Sequence, residues 1–391
     1  MKRRRIHSPL RMSRDAERLV WLAQGLAESG SRTEDAYWEH ELTQLIERLI
    51  GAGQEEALNL ALDRLHETGS PGYDDLADLI ESVAESARLE TPEGPRQGLL
   101  IALPVLAWSR WSIPARRLQP EVLTGLGNQL AAHVLAADVP YVLADHLYSP
   151  DQLPYGYGQT RRYAERLWQA LREGRGYHED PARLPEVVPY ISDVRYVLGA
   201  VMVPPGRPVF RWNEVDGQRQ QALERWRAQA GPNLQGTLAG CGYELLLPDA
   251  YFAAWRRADR EGRPYSLRAA VAYLDAQLTL KPVQLRAVAA PFYDRRLEEW
   301  RIGFGPKNGS DIVHGVVWPL LGQEDETTDT GAEIERILQA AGVGEVVVLD
   351  QRLPLEYCED CGAPLYANAE GELVHAEMPE QEGQAVPTHL H

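Results

Sequence analysis

Residues 99–107 read Leu-Leu-Ile-Ala-Leu-Pro-Val-Leu-Ala, an unbroken apolar run with the length of one β-strand. A different pattern precedes it, because apolar residues recur at helical spacing in successive segments of residues 13–90, with Ser13 as the first predicted N-cap. Short connections between these segments predict a small antiparallel helical bundle or a pair of αα-hairpins. The Pro- and Gly-rich residues 91–95 lie between the two patterns and indicate a domain boundary.

Strand and helix patterns alternate from residue 99 to residue 349. Within this region we predict a strand at residues 242–247 and two separate helices at 249–260 and 266–278. Similar amounts of helix and strand, with hairpins between them, predict an α+β fold. It comprises an N-terminal helical bundle, two mixed α+β lobes and a C-terminal zinc-knuckle-like hairpin. The predicted domains are a basic flexible arm (1–12), a helical module (13–90), a first α+β lobe (96–215), a second α+β lobe (216–352) and the C-terminal hairpin with its tail (353–391).

The charge of the chain limits the classes of partner that it can bind. The 391 residues carry a formal net charge of -17, which disfavours broad, non-specific binding to nucleic acid or to anionic membranes. The basic start, residues 1–11, is a local exception that could contact RNA, DNA or an acidic protein surface, or could be a solvated terminus. Trp108, Trp111 and the nearby arginines could stack on bases, or could pack within the fold.

The apolar segments and the cysteines indicate a compartment. The longest apolar stretches are too short to span a bilayer, and no secretory signal follows the basic start, so we expect no membrane partner. The three cysteines cannot form the disulfide framework of a small secreted protein. These observations predict a cytoplasmic protein.

The sharpest local motif is Cys358-Glu-Asp-Cys361-Gly362, because a C-x-x-C pair followed by glycine forms a turn that directs two thiolates at one metal ion. His375 lies 14 positions after Cys361, beyond a segment that is predicted to form a hairpin with its turn at residues 370–371. These three side chains predict most of a zinc site. We expect a closed site of this kind to be structural rather than catalytic.

The fourth ligand is open at this point. The chain ends in His389-Leu390-His391, and either imidazole could complete a Cys₂His₂ set. Weaker alternatives are the carboxylate oxygens of Asp360, Glu372 and Glu377, and the distant thiol of Cys241. The cysteine pair could also be a redox pair or two ordinary thiols, but Gly362 and Pro364 oppose the helix that follows a thioredoxin-like pair.

No complete catalytic motif is present in the sequence, which lacks a Walker A loop, a dinucleotide-binding glycine pattern, a His-Glu-x-x-His motif and a nucleophile elbow. The preferred functional hypothesis is therefore a non-enzymatic regulatory or scaffolding protein that acts through an unidentified protein partner. One alternative is an RNA- or translation-associated factor that uses the basic arm. The other is an enzyme with a site between the lobes, near Asp145, His146 and His314.

Two segments also carry a resemblance. Residues 13–19, Ser-Arg-Asp-Ala-Glu-Arg-Leu, together with the Cys358–Cys361 pair and the ending His375-Ala-Glu-Met-Pro379, resemble a bacterial cytoplasmic protein family of unknown function. The resemblance extends over the full length. It implies a bacterial cytoplasmic setting, but no activity, ligand or partner.

Overall fold

The computed structural model describes residues 12–214, 218–309, 311–322 and 324–379. Four helices form the N-terminal bundle: α1 (Arg14–Ala27), α2 (Arg32–Gly51), α3 (Glu55–Glu67) and α4 (Gly72–Glu85). Helix α1 contacts each of the other three, and their leucine and isoleucine faces are buried together. The Ser13 hydroxyl accepts a hydrogen bond from the Ala16 N–H at 3.1 Å, which confirms the predicted N-cap of α1.

The rest of the described chain is a mixture of strands and helices, as the α+β prediction requires. The strands and helices after α4 are, in chain order, β1 (Ser86–Thr91), β2 (Gly94–Trp108), β3 (Arg116–Arg117), α5 (Pro120–His133), β4 (Tyr141–Leu143), β5 (His146–Leu147), α6 (Tyr157–Arg172), β6 (Ser192–Val203), α7 (Arg219–Leu234), β7 (Gly242–Leu245), β8 (Asp249–Ala250), α8 (Tyr251–Leu278), β9 (Leu285–Tyr293), β10 (Leu297–Pro306), β11 (His314–Pro319), α9 (Thr330–Ala340), β12 (Glu345–Val348), β13 (Leu353–Pro354), β14 (Tyr366–Ala367) and β15 (Leu373–Val374).

The apolar run at residues 99–107 lies in β2, the central strand of the first sheet. One edge of β2 pairs with β6 along residues 97–108, and the other edge pairs with β1, β8 and β7. All these pairings are antiparallel, and β4 extends the sheet beyond β6. Both faces of β2 are buried because one side packs against the helical bundle, α6 and α8, and the other against α5 and α7. This double burial explains the unbroken apolar sequence.

The second sheet has the order β11-β10-β9-β12, with β13 also on β9. Strands β9, β10 and β11 are antiparallel, whereas β12 and β13 run parallel to β9. One face of the sheet packs against α8 and α9. The other face packs against the C-terminal segment through a small core that includes Phe292, Leu353 and Ala367.

Strand pairing crosses three of the predicted domain limits, which themselves remain predictions. The residues at 91–95 form the turn of the β1–β2 hairpin. Residues 242–245, which lie within the predicted second lobe, hydrogen-bond to β2 of the first sheet. Leu353, the first residue of the predicted C-terminal hairpin, pairs with Phe292 of β9. Continuous backbone hydrogen bonding therefore links the segments that the sequence pattern separates.

Helix α8 is one helix of 28 residues, so the prediction of two helices at 249–260 and 266–278 was wrong. Pro264 lies inside it, and proline lacks the N–H that continues the helical hydrogen bonds. The buried face nevertheless continues on both sides of Pro264, with Ala258 in the core of the first sheet and Leu274 in that of the second. Packing against both sheets thus outweighs the tendency of Pro264 to end the helix. No helix in the described ranges combines the length and the apolar character needed to cross a bilayer.

Candidate metal centre

The conformation of the C-x-x-C turn is explained by its own residues. The Cys358 N–H donates to the Ala363 carbonyl at 2.7 Å, and the Gly362 N–H donates back to the Cys358 carbonyl at 2.8 Å. These bonds close a tight loop in which Gly362 adopts a φ of 74°, a left-handed conformation that glycine reaches without steric cost. The glycine of the motif is therefore the residue that lets the chain reverse after Cys361.

A second turn brings His375 back to the cysteines. Strands β14 and β15 pair in an antiparallel hairpin, and Gly371 in the turn has a φ of 84°. The Asn368 side-chain oxygen accepts hydrogen bonds from the N–H groups of Glu370 and Glu372 at 3.1 and 2.8 Å. The hairpin with its turn at residues 370–371 is thus confirmed, and His375 follows immediately after β15.

The three ligand atoms of Cys358, Cys361 and His375 lie within 4.8 Å of one another. The Cys361 Sγ atom is 3.2 Å from His375 Nε2. In a tetrahedral zinc site with Zn–S of about 2.3 Å and Zn–N of about 2.0 Å, neighbouring ligand atoms are about 3.5–3.8 Å apart. The cluster can therefore hold a metal ion after shifts of a few tenths of an ångström to about one ångström.

The environment of Cys358 favours the thiolate that a metal needs. The backbone N–H groups of Cys361 and then of Asp360 point at its sulfur and lower the pKa of the thiol. Backbone donors stabilise the charged form of a group that accepts their hydrogen bonds. Cys358 is half-buried and Cys361 is exposed, so the site lies at the protein surface.

Arg301 of β10 connects the metal motif to the second sheet. Its Nη1 donates to the carbonyls of Glu356 and Leu365 at 2.6 and 2.8 Å, on the two chain segments that enter and leave the turn. Its Nε donates to Glu299 at 2.6 Å, and its guanidinium group lies 4.8 Å from the centre of the Tyr357 ring. This arginine is fully buried. We call these contacts the Arg301 clamp, because they hold both ends of the C-x-x-C turn.

The segment after His375 is also held. The Glu377 N–H donates to the Ile312 carbonyl at 2.9 Å, and the Glu377 carboxylate lies 3.7 Å from His375 Nδ1. At this distance the carboxylate is too far from Nδ1 for a hydrogen bond. Glu377 thus lies beside the candidate ligand His375 and outside the cluster itself.

Of the other predicted ligands, two lie outside the described residues, and those inside do not join the cluster. His389 and His391 lie outside the described residues. Glu372 accepts a hydrogen bond from the Asn368 side chain at 3.1 Å, and Cys241 contacts the Ser112 carbonyl at 3.8 Å beside the core of the first sheet. Within the described ranges, the group with metal-ligand geometry consists of Cys358, Cys361 and His375, without Asp360, Glu372, Glu377 or Cys241.

The residues of the predicted catalytic site are packed in different parts of the molecule. His314 is buried between Tyr273 and Phe304 in the core of the second sheet, and burial lowers its pKa to about 4. His146 is buried against Tyr148 in the first sheet, and burial lowers its pKa as well. The neutral imidazole is therefore favoured at both positions.

Asp145 pairs with a histidine that the sequence analysis missed. Its Oδ2 atom lies 2.9 Å from His178 Nδ1 and 3.1 Å from the Arg117 guanidinium. Its Oδ1 accepts a hydrogen bond from the Glu179 N–H at 2.9 Å. Three consecutive titratable residues, 178–180, in a segment without a strand or helix pattern were the signal that could have drawn attention to this position.

The arginines near Trp108 and Trp111 are used within the fold. Arg116 donates to the Thr237 carbonyl at 2.9 Å, and Arg117 donates to the Glu179 carbonyl at 2.8 Å. Arg110 lies 5.7 Å from the centre of the Trp111 ring. Each of these contacts engages part of a guanidinium group within the fold. The basic arm at residues 1–11 lies outside the described residues.

Comparison with known proteins gives a family but no activity. No curated protein and no solved structure matches the chain. A family of proteins described as "Protein of unknown function (DUF2863)" matches residues 4–389, which is nearly the whole chain and confirms the resemblance to a full-length family of unknown function. The chain belongs to the DUF2863 family.

Proposed function

We propose that the protein binds one zinc ion through Cys358, Cys361 and His375, and that the ion has a structural role. The observation that carries the proposal is the convergence of two sulfurs and one imidazole nitrogen within 4.8 Å. Thiolate and imidazole ligands in a tetrahedral arrangement favour zinc over magnesium or calcium, which prefer oxygen. The fourth position is assigned to His389 or His391 of the tail.

The structural role is inferred from the way the ligands are held. The Arg301 clamp and the Glu377–Ile312 hydrogen bond attach both halves of the site to the second sheet. A bound ion would cross-link the C-x-x-C turn to the end of the β14–β15 hairpin. With four protein ligands, no coordination position remains for a reacting water, so the ion would stabilise the C-terminal segment rather than catalyse a reaction.

Metal analysis of the purified full chain tests this proposal. We expect about one zinc per chain in the wild type and in the matched control Cys241→Ser, whose thiol lies outside the cluster. Cys358→Ser and His375→Ala should lose most of the metal. Equal zinc content in the wild type and in Cys358→Ser, or failure of the wild type to bind added zinc, would contradict the proposal.

The same measurement decides the fourth ligand. His389→Ala and His391→Ala should be compared by competition with a chromogenic chelator. The variant that removes a ligand should bind zinc at least about tenfold more weakly, because the loss of one ligand opens the site. If both variants bind zinc like the wild type, the assignment of the fourth position to the tail is wrong.

For the protein as a whole, we propose a non-enzymatic regulatory or scaffolding role in the cytoplasm, carried out through contact with a protein partner. The supporting observation is an aromatic cluster on the helical bundle. Trp21 and Tyr37 are 56% and 54% exposed, and each ring lies edge-on to Trp38, at 5.2 and 5.1 Å between ring centres. Exposed tryptophan and tyrosine are typical of the centres of protein interfaces.

Site-specific photo-crosslinking in cells tests the partner proposal. A photoreactive phenylalanine at position 37 should give one covalent adduct of defined mass, and Trp21→Ala should abolish it. The control is the same probe at Trp111, which is 62% exposed but lies outside the bundle. The proposal fails if position 37 gives no adduct, or if the adducts from both positions are identical.

A further inference from the structure

A large cleft lies on the first lobe, at a distance in sequence from the metal centre. One wall is the polar face of α6, and the other walls are residues 151–155 and 175–185. Its volume is about 900 Å³, within the range of sites that hold metabolites and cofactors. We call it the α6 cleft.

Two arginines on successive turns of α6, Arg162 and Arg166, line this cleft. Among the described residues, Arg162 has neither an ion-pair partner nor a hydrogen-bond partner. Arg166 is held by the protein, because its Nε donates to the Tyr177 hydroxyl at 3.2 Å and its guanidinium lies 5.2 Å from the centre of the Tyr163 ring. Two like charges one turn apart repel each other unless an anion lies between them.

Among the described residues, no carboxylate of the cleft forms a direct ion pair with Arg162 or Arg166. Glu179 is buried, and it accepts hydrogen bonds from the Tyr148 hydroxyl at 2.8 Å and from the Asp180 N–H at 3.2 Å. Asp180 pairs with Arg183 at 3.2 Å. Asp151 accepts a hydrogen bond from the Val188 N–H at 3.2 Å. Asp151 and Asp180 are therefore engaged elsewhere, and Glu179 acts electrostatically on Arg166. Arg162 has no carboxylate partner among the described residues, in a protein of net charge -17.

A third polar group, His178, lies in the same lining. His178 is 76% exposed, but its Nδ1 atom is fixed at 2.9 Å from the buried carboxylate of Asp145. A carboxylate at Nδ1 makes that nitrogen the proton carrier and orients the ring, which leaves Nε2 free toward the cleft.

We propose that the α6 cleft binds a small phosphate-bearing molecule, with Arg162, Arg166 and His178 as the groups that contact the phosphate. The guanidinium group binds phosphate through two parallel hydrogen bonds. Two such groups match the charge and the several oxygens of a phosphate, whereas a single carboxylate is satisfied by one arginine. Asp145 is a positioning residue, since it contacts His178 rather than the ligand.

Isothermal titration calorimetry of the full chain with inorganic pyrophosphate tests this inference. We expect saturable binding that Arg162→Gln and Arg166→Gln each weaken at least about tenfold, because each removes charged hydrogen bonds. Arg162→Lys should be intermediate, since it keeps the charge and loses the fork. The matched control is Arg172→Gln, an exposed arginine of the same helix outside the cleft lining, which should bind like the wild type.

Acetate at the same ionic strength separates phosphate recognition from general attraction of anions. It should bind at least about tenfold more weakly than pyrophosphate. Equal thermal unfolding midpoints of the three glutamine variants will show that the arginine changes leave the fold intact. The inference is overturned if pyrophosphate does not bind saturably, if Arg172→Gln weakens binding as much as Arg162→Gln, or if acetate binds equally well.

Discussion

Replacing Arg301 by methionine should both destabilise the protein and weaken zinc binding at the proposed site. The change removes the donors to the Glu356 and Leu365 carbonyls and leaves the carboxylate of Glu299, whose side chain is only 16% exposed, without its cation. Breaking a buried ion pair by removal of one partner costs about 3–5 kcal/mol. Methionine keeps part of the apolar packing, so we expect a loss of about 3 kcal/mol in the free energy of unfolding.

The effect on zinc follows from the position of the Arg301 clamp. Both carbonyls belong to the chain segments that flank the C-x-x-C turn, so their release allows Cys358 and Cys361 to move relative to His375. Loss of groups that orient metal ligands lowers metal affinity by about 10- to 100-fold. Competition with a chromogenic chelator measures this affinity, and urea unfolding of the zinc-free chain measures the stability term separately.

Arg352→Met provides the matched control. Arg352 also lies over an aromatic ring, that of Tyr293 at 4.2 Å, and pairs with Glu326, but its side chain is 62% exposed. We expect a loss of less than about 1 kcal/mol and unchanged zinc affinity. If folded Arg301→Met binds zinc as tightly as the wild type, or if Arg352→Met weakens zinc equally, the clamp does not organise the site.

Three further substitutions test the C-x-x-C turn and the packing of the second sheet. Gly362→Ala places a side chain at a φ of 74°, which costs about 1–2 kcal/mol and should lower zinc affinity by about tenfold in the chelator competition. Gly315→Ala would put a methyl group 2.0 Å from the buried Tyr366 ring, so we expect a loss of about 1–3 kcal/mol in urea unfolding, and a stability equal to wild type would contradict this packing. His314 has a folded-state pKa of about 4, below its unfolded value of about 6.5, so unfolding takes up a proton between these values. The free energy of unfolding should therefore fall by about 3 kcal/mol as the pH drops from about 6.5 to about 4. His314→Phe should remove this part of the pH dependence of stability.

The sequence predicts the structural elements that depend mainly on residues close together in the chain. The C-x-x-C-G turn needs only adjacent residues, and the β14–β15 hairpin needs Asn368 and Gly371 at its own turn. The bundle helices are likewise recognisable because each carries an apolar face at helical spacing. For these elements, the order of the residues contains nearly all of the physical information.

The elements that the sequence does not predict depend on contacts between distant segments. Residues 242–245 read as a strand, but nothing local assigns them to β2 rather than to the second sheet. Asp145 and His178 are separated by 33 positions, and only the fold brings His178 rather than the adjacent His146 to the carboxylate. Arg301 likewise reads as one polar residue in a strand, although it meets carbonyls 55 and 64 positions away.

Long-range contacts also limit the role that a bound zinc ion would have. An autonomous zinc finger is unfolded without its metal, because the ion replaces a hydrophobic core. Here the segment that carries the ligands has other attachments, since Leu353 pairs with β9, Ala367 lies in a core with Phe292, and the Arg301 clamp holds the turn. Those contacts do not involve the metal ligands. The proposed ion would therefore add a local cross-link to a segment already bound to the sheet, and zinc removal should loosen this segment without unfolding the second sheet.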